Sequence, residues 1–384
     1  MNNQPRIRYI VPAAAAILLT FGRDDWLAFI PLHTPLDLAM NLFVVVIASI
    51  FALKDITYLL SHNILLRLLF LMLALWVAIV VFLGTPFKYW PSGTNFLTLI
   101  LIIVIVSQIS RFELRRLRHF VLILAGIFTF YALAFGRNTI DLILSGKLAS
   151  QLGEKISSSI LVAYPRIMYV IIITCLFSLI VEKRFWIRIY SIVMMIVPFL
   201  IAFATAGRGP LFGFTMAAFI LVFGLEKKRR WYYAIALIGL VVISYVMIVN
   251  YFPVMEHRIM GGSDSGRSTI WTNVINGRFT LFGIGIYDDY PHNIFLEFLL
   301  DYGVIGLILF LIFFIPLIMS FFRCYYKTHY NEVLWALCLF VLQMTAQQFS
   351  LDIFNTGLWA AILLPLGFSW DNSPVHDVEL ETSF

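Results

Sequence analysis

Apolar runs recur along almost the whole chain, separated by short polar or basic connections. A hydrocarbon core about 30 Å thick needs roughly 20 apolar residues of helix, with latitude for tilt and mismatch. Twelve runs fit, at approximately 8–22, 36–53, 64–83, 95–110, 120–136, 160–181, 189–205, 210–225, 231–251, 303–321, 333–350 and 356–370. The pattern predicts an all-α polytopic membrane protein with about twelve transmembrane helices. One long interval departs from it. Residues 261–306, GGSDSGRSTIWTNVINGRFTLFGIGIYDDYPHNIFLEFLLDYGVIG, are polar, punctuated by glycine and charged in both signs. They run directly into the tenth apolar stretch, and short helices are expected within them.

Three other segments interrupt the pattern. From Phe21 to Leu36, Arg23, Asp24, Asp25 and His33 stand among the turn formers Gly22, Pro31 and Pro35, which suits an outer loop with a re-entrant piece. Residues 138–160 alternate small polar and aliphatic positions, as a helix lying in the membrane interface does. The tail DNSPVHDVELETSF is polar and reads as disordered. Repeated halves with matching broken helices, a mark of many transporters, are not visible.

Composition changes the picture in two ways. Only 12% of the 384 residues are charged and 61% are hydrophobic, against about 25% charged in a soluble domain. The formal charge of +6 would suggest nucleic acid in a soluble chain. Here the basic residues cluster in alternate short connections, RFELRRLRH at 111–119 and EKKRR at 226–230. Such clusters orient helices in a bilayer, so nucleic acid is not an expected partner. The orientation they predict has both termini inside and 261–306 outside. Arg6 and Arg8 lead into the first run with no convincing cleavage site, so that helix is expected to be kept. Cys175, Cys324 and Cys338 show no paired spacing, which argues against a disulfide framework or a thiolate metal site.

Candidate chemistry gathers on the outer side. Thr205-Ala206-Gly207-Arg208-Gly209-Pro210 joins two runs with almost no loop, so the Arg208 guanidinium is held at the membrane edge. Its planar fork matches phosphate oxygens; the alternatives are snorkelling or a pair with Asp352. Arg267 precedes Ser268, a candidate N-cap for a helix over 269–275, where an anion would meet both a guanidinium and free N–H groups. Arg278 is a further cation. Asp288-Asp289-Tyr290-Pro291-His292-Asn293 opens the next helix, with Pro291 and His292 expected in its first turn. That position disfavours the imidazolium and leaves His292 able to accept a proton. Asp289, Tyr290, Asn293 and Glu297 are secondary candidates. His62, His119, His257 and His329 read as ordinary hydrogen-bonded histidines. Asp24-Asp25 is an acidic pair with no identifiable third metal ligand.

His292-Asn293, nine residues, then Gly303 and Gly306, with Arg208 between two spans and Arg267 ahead of Trp271, resembles the bacterial O-antigen ligase and O-antigen polymerase superfamily over roughly residues 189–325. The resemblance implies a GT-C-like polytopic glycosyltransferase of the bacterial inner membrane, acting at its periplasmic face. Its donor would be an oligosaccharide on undecaprenyl diphosphate, with Arg208 and Arg267 on the diphosphate and His292 positioning or deprotonating the acceptor hydroxyl. It needs no metal and no cofactor. The acceptor would be another lipid-linked repeat unit in a polymerase, or lipid A-core in a ligase; a chain-length regulator is a further partner the resemblance allows. In ligases a leucine often follows the arginine by four residues. Here Phe212 stands there and the outer loop is compact, which inclines the reading to polymerase. The division expected is 1–188, N-terminal helices; 189–332, the catalytic region with its periplasmic loop at 252–302; 333–370, C-terminal helices; and 371–384, a cytoplasmic tail. A lipid-linked oligosaccharide transporter or flippase is the alternative from another class; it requires polar residues lining a path through the midplane.

Overall fold

The computed structural model describes residues 7–20, 60–61, 63–82, 93–110, 113–135, 160–204, 208–224, 293–348 and 356–368, with single residues at 50 and within 231–250 and 269–283. Among them all regular structure is helical: α1 (Ile7–Thr20), α2 (Ile64–Phe82), α3 (Gly93–Val106), α4 (Leu114–Phe135), α5 (Ile160–Val181), α6 (Phe185–Ala204), α7 (Arg208–Gly224), α8 (Ile294–Asp301), α9 (Gly303–Thr328), α10 (Asn331–Gln347) and α11 (Thr356–Phe368). Ten coincide with predicted apolar runs, and α8 is a short helix inside the polar interval. The run at 36–53 lies outside the described residues apart from Ile50, and those described within 231–251 are helical.

By length and composition, α6 and α9 suffice to cross a membrane. Their surfaces agree with insertion. On α9, Ile308, Ile312, Ile315, Met319, Phe322 and Tyr326 form one exposed stripe, and on α7 Phe212, Met216, Phe219 and Phe223 form another. Contiguous apolar stripes of this kind are not left to water in a monomeric soluble protein.

The helices alternate in direction, as contacts at each end of the bundle record. At one end Asn63 caps α2, its Oδ1 accepting from the Leu66 N–H at 3.1 Å while its Nδ2 donates to the Leu366 carbonyl near the end of α11 at 2.7 Å. A Cβ at Gly367 would collide with the Ile109 carbonyl beyond α3. The Tyr325 hydroxyl, late in α9, donates to the Gly224 carbonyl at the end of α7 at 2.6 Å. The starts of α7 and α9 therefore share the opposite end.

At the first end Arg118 is completely buried. Helix α4 begins at Leu114, so most of the basic cluster expected to lie in a connection is instead its first turns. The Arg118 guanidinium donates to Ser178 at 2.7 Å and to Glu182 at 2.5 Å, reaches Glu332 at 3.5 Å, and lies 5.4 Å from the centre of the Phe177 ring. His119 contacts the same Glu182 oxygen at 3.3 Å, the ordinary role expected of it. Three helices, α4, α5 and α10, are thus tied by one cation between two carboxylates. A guanidinium removed from water is tolerable only with such partners.

Glu182 lies in the connection between α5 and α6. The His119 hydrogen bond holds its carboxyl down from 4.5 to about 2, with the Arg118 bond and charge adding to the effect and burial opposing it. A depressed carboxylate contributes stability above its unfolded value, and that contribution disappears as the pH falls through the folded one. The thermal midpoint of detergent-purified protein should therefore hold steady down to pH 4.5 and drop as the pH approaches 2, with Glu182→Gln removing part of that drop. Arg118→Ala, which leaves two buried carboxylates without their cation, should destabilise the fold by about 3–5 kcal/mol, measured by denaturant titration.

Candidate functional site

Arg208 is the first residue of α7 and is half-buried. Gly209 and Pro210 behind it are buried, the proline occupying a first-turn position where its missing N–H forfeits no helical bond. Further along, a Cβ at Gly213 would lie 2.5 Å from the Leu342 carbonyl oxygen, so α7 and α10 touch backbone to backbone. That contact sets the guanidinium's height at the bundle end, the constraint the short Thr205–Pro210 connection suggests.

Helix α8 begins at Ile294, with Asn293 as its N-cap. The Asn293 side chain accepts from the N–H groups of Phe295 at 3.1 Å and Leu296 at 3.2 Å, satisfying two donors that have no carbonyl of their own. Helix α8 therefore starts later than the sequence suggested: Pro291 and His292 precede the cap instead of forming the first turn. The reason is local. An asparagine amide captures the free N–H groups better than the preceding proline and histidine do. Asn293, a secondary candidate for substrate contact, is occupied by this structural task.

The Gly303-x-x-Gly306 spacing has a packing origin as well. Gly303 has φ +70° and Gly283 has φ +81°, both left-handed, and their backbones meet so closely that a Cβ on either would collide with the other strand of chain. The Val304 N–H donates to the Thr280 carbonyl and that of Ile305 to the Leu281 carbonyl, each at 3.2 Å. These two bonds dock the segment following Arg278 onto the start of α9. At Gly306 a Cβ would collide with Tyr302. The space is used: the Tyr302 ring stacks on Trp76 of α2 at 4.8 Å, and Phe298 stacks on Phe310 at 4.2 Å.

Glu297 and Asp301 are both buried, one turn apart on α8 and therefore on one face. Burial pushes the Tyr302 hydroxyl well above its ordinary range, and the Asp301 and Glu297 carboxylates push it further. Tyr302 consequently keeps its proton and has no part as a base. Glu297, a secondary candidate, lies inside the packed layer among Ile294, Phe298 and Leu300 in sequence and does not stand on an open surface.

Arg267, Arg278, Asp289, Tyr290 and His292 lie outside the described residues, as do Asp24, Asp25, Asp288 and Asp352. Of the helix expected over 269–275, Thr269, Trp271 and Thr272 are described and α-helical, and Ile275 is described with π-helical geometry. The structure thus fixes the polar interval at the 280–283 clamp and at the Asn293 cap, and Arg208 separately at the start of α7.

One group at this end was not singled out by sequence. Arg166, in the first third of α5, is buried and donates to the Gln347 amide oxygen of α10 at 2.9 Å. Its signal was available: an arginine following Pro165 inside an apolar run.

Residues 193–311 match the family model described as O-antigen ligase, and no curated protein matches the chain. The matched span runs from α6 through α7, the polar interval and α8 into α9, and contains Arg208, Arg267, His292, Gly303 and Gly306. Over that span it supports a likeness to the O-antigen ligase and polymerase superfamily.

Asn293→Ala should lower stability by about 1 kcal/mol through the lost cap. Gly303→Ala should do more harm, because it adds left-handed strain on the order of 1–3 kcal/mol to a backbone collision. Limited proteolysis should then show faster cleavage near residue 280 in Gly303→Ala than in Asn293→Ala.

Proposed function

We propose that this protein is an inverting glycosyltransferase that moves a glycan from undecaprenyl diphosphate to a hydroxyl of the next lipid-linked repeat unit, as an O-antigen polymerase. The supporting observation is the setting of Arg208, the first residue of a helix locked backbone to backbone to α10, inside the span that matches the O-antigen ligase family model. In this reading the acceptor hydroxyl attacks the anomeric carbon opposite the diphosphate and gives its proton to His292. The bond from that carbon to the phosphate oxygen breaks, and the leaving diphosphate takes the electron pair. Arg208 and Arg267 stabilise the charge that accumulates on it. Glu297 would serve as base only if α8 opened, since it is buried.

We further propose a cell inner membrane location with about twelve spans, N-in and C-in, the four-part division at 188, 332 and 370, and the Arg208 end facing the periplasm. The distribution of charge supports this orientation. Arg67, Arg115, Lys183, Arg184, Arg323 and Lys327 are exposed at the Arg118 end, together with the aromatic side chains of Phe185, Trp186 and Tyr326. An excess of basic residues supports a cytoplasmic side, and the aromatic side chains suit the level of a membrane interface, where they occur on either side.

A ligase is the second reading, and two observations favour it. The matched family is described as O-antigen ligase. Phe212, the residue that inclined the sequence reading to polymerase, is exposed on the apolar stripe with Met216 and Phe219 and faces away from the core. The identity of that residue therefore has little bearing on the acceptor.

The test is purified protein with a lipid-diphosphate-linked repeat unit and a chelator. A ladder of lengthening lipid-linked products is expected, falling about 100-fold or more in Arg208→Ala, Arg267→Ala and His292→Ala. Transfer only when lipid A-core is supplied would replace polymerase by ligase. Folded protein that transfers to neither acceptor would overturn the enzyme reading.

A further inference from the structure

The Arg118 cluster has an outward consequence for the charge at its end of the bundle. Among the described residues that end holds three carboxylates, and each is engaged by a neighbour. Glu182 and Glu332 face Arg118, and Glu113 accepts from the Ser110 N–H at 3.1 Å and from its hydroxyl at 3.3 Å. None of the three is exposed, whereas Arg115 and Lys183 both are.

These two cations belong to one rigid corner. Helices α4 and α6 both begin at this end and lie side by side, the Tyr190 hydroxyl donating to the Leu122 carbonyl at 2.8 Å. From that level Phe185, the first residue of α6, is five residues, about 7.5 Å, toward the end, and Arg115 is seven residues, about 10.5 Å. Lys183 stands two residues before Phe185, so it shares the level of Arg115. Arg115 also precedes His119 by one turn, and His119 contacts Glu182 at 3.3 Å, which puts Arg115 on the face of α4 that meets the connection into α6. That connection is pinned twice: Arg118 holds the Glu182 carboxylate, and the Glu182 carbonyl accepts from the Arg188 Nε–H at 2.6 Å. Phe185 and Trp186 then open α6 with their rings edge to face at 5.8 Å, and they are 66% and 77% exposed.

Helix α6 is long and apolar enough to cross a membrane, so its first turn lies at the level of the lipid headgroups. An indole, with an apolar body and one N–H, suits that boundary. A lysine stem can follow the apolar surface while its ammonium reaches a phosphate. A soluble acidic partner would satisfy the two cations and leave the rings to be covered separately, whereas one phospholipid meets both demands. We propose that the corner formed by Arg115, Lys183, Phe185 and Trp186 binds the headgroup of an anionic phospholipid of the surrounding bilayer. Its phosphate lies between Arg115 and Lys183, and its glycerol and first acyl carbons lie against the two rings. The site is independent of the transferase reading. Because the corner joins α4, α5 and α6, a lipid bound there stabilises the bundle.

The experiment measures the thermal midpoint of the full chain in neutral detergent against added phosphatidylglycerol, phosphatidylcholine or inorganic phosphate. Phosphatidylglycerol should bind about tenfold or more tighter than phosphatidylcholine, and inorganic phosphate should not raise the midpoint. Salt at 1 M, where the screening length is about 3 Å, should erase the preference. Arg115→Gln and Lys183→Gln should each weaken phosphatidylglycerol binding about fivefold, and Trp186→Ala should weaken both lipids. Lys327→Gln, an exposed cation of α9 at the same end, should leave the preference unchanged. The substituted side chains are exposed, so unliganded midpoints should match wild type; where one does not, the salt series on wild type decides. Equal affinity for the two lipids, a preference that survives 1 M salt, or an equal loss in Lys327→Gln would overturn the site. A response to inorganic phosphate as large as that to phosphatidylglycerol would overturn the lipid as its occupant.

Discussion

A guanidinium with no exposed surface must be matched inside the protein, and the bundle is arranged around how it meets that requirement. Arg118 draws to it Glu182 from the connection after α5 and Glu332 from α10. Because each comes from a different element, the cluster sets the relative heights of α4, α5 and α10 at one end. The charge is nearly balanced there, and the hydrogen bonds are direct. Replacing such a cluster by apolar side chains is often neutral for stability; its value here is in fixing register between helices whose remaining contacts are interchangeable aliphatic surfaces.

The opposite end is held differently. Close backbone approaches set the geometry among the described residues: Gly213 against α10, and Gly283 against Gly303. Both need the absence of a Cβ, and the second also needs left-handed backbone on each partner. The consequence is that Arg208 and the start of α9 are placed by main chain, which moves little.

The glycines of the His-Asn and Gly-x-x-Gly pattern illustrate how a motif can carry function indirectly. Gly303 and Gly306 have packing roles among the described residues. They admit the 280–283 segment and the Tyr302 ring, which packs on Trp76. Asn293 likewise has a structural task, capping α8. In the proposed function the chemistry falls to the histidine and arginines, and these three residues have packing roles.

Hydrophobic periodicity was sufficient to place ten helices, because a bilayer-length run of apolar residues has few other stable conformations. The arginine between two spans and the polar interval were equally legible, since charge stands out against such a background. What the sequence alone could not supply was partnership. Arg118 looked like one member of an orienting basic cluster, and Arg166 was lost in an apolar run, because the side chains that seat them, Glu182, Glu332 and Gln347, are between 64 and 214 residues away in the chain. Phe212 looked informative about the acceptor until the fold turned it outward. Local pattern determines which segments become helices; which of their side chains face lipid, a partner or a ligand is decided only when the helices pack, since an apolar face reads the same in all three settings.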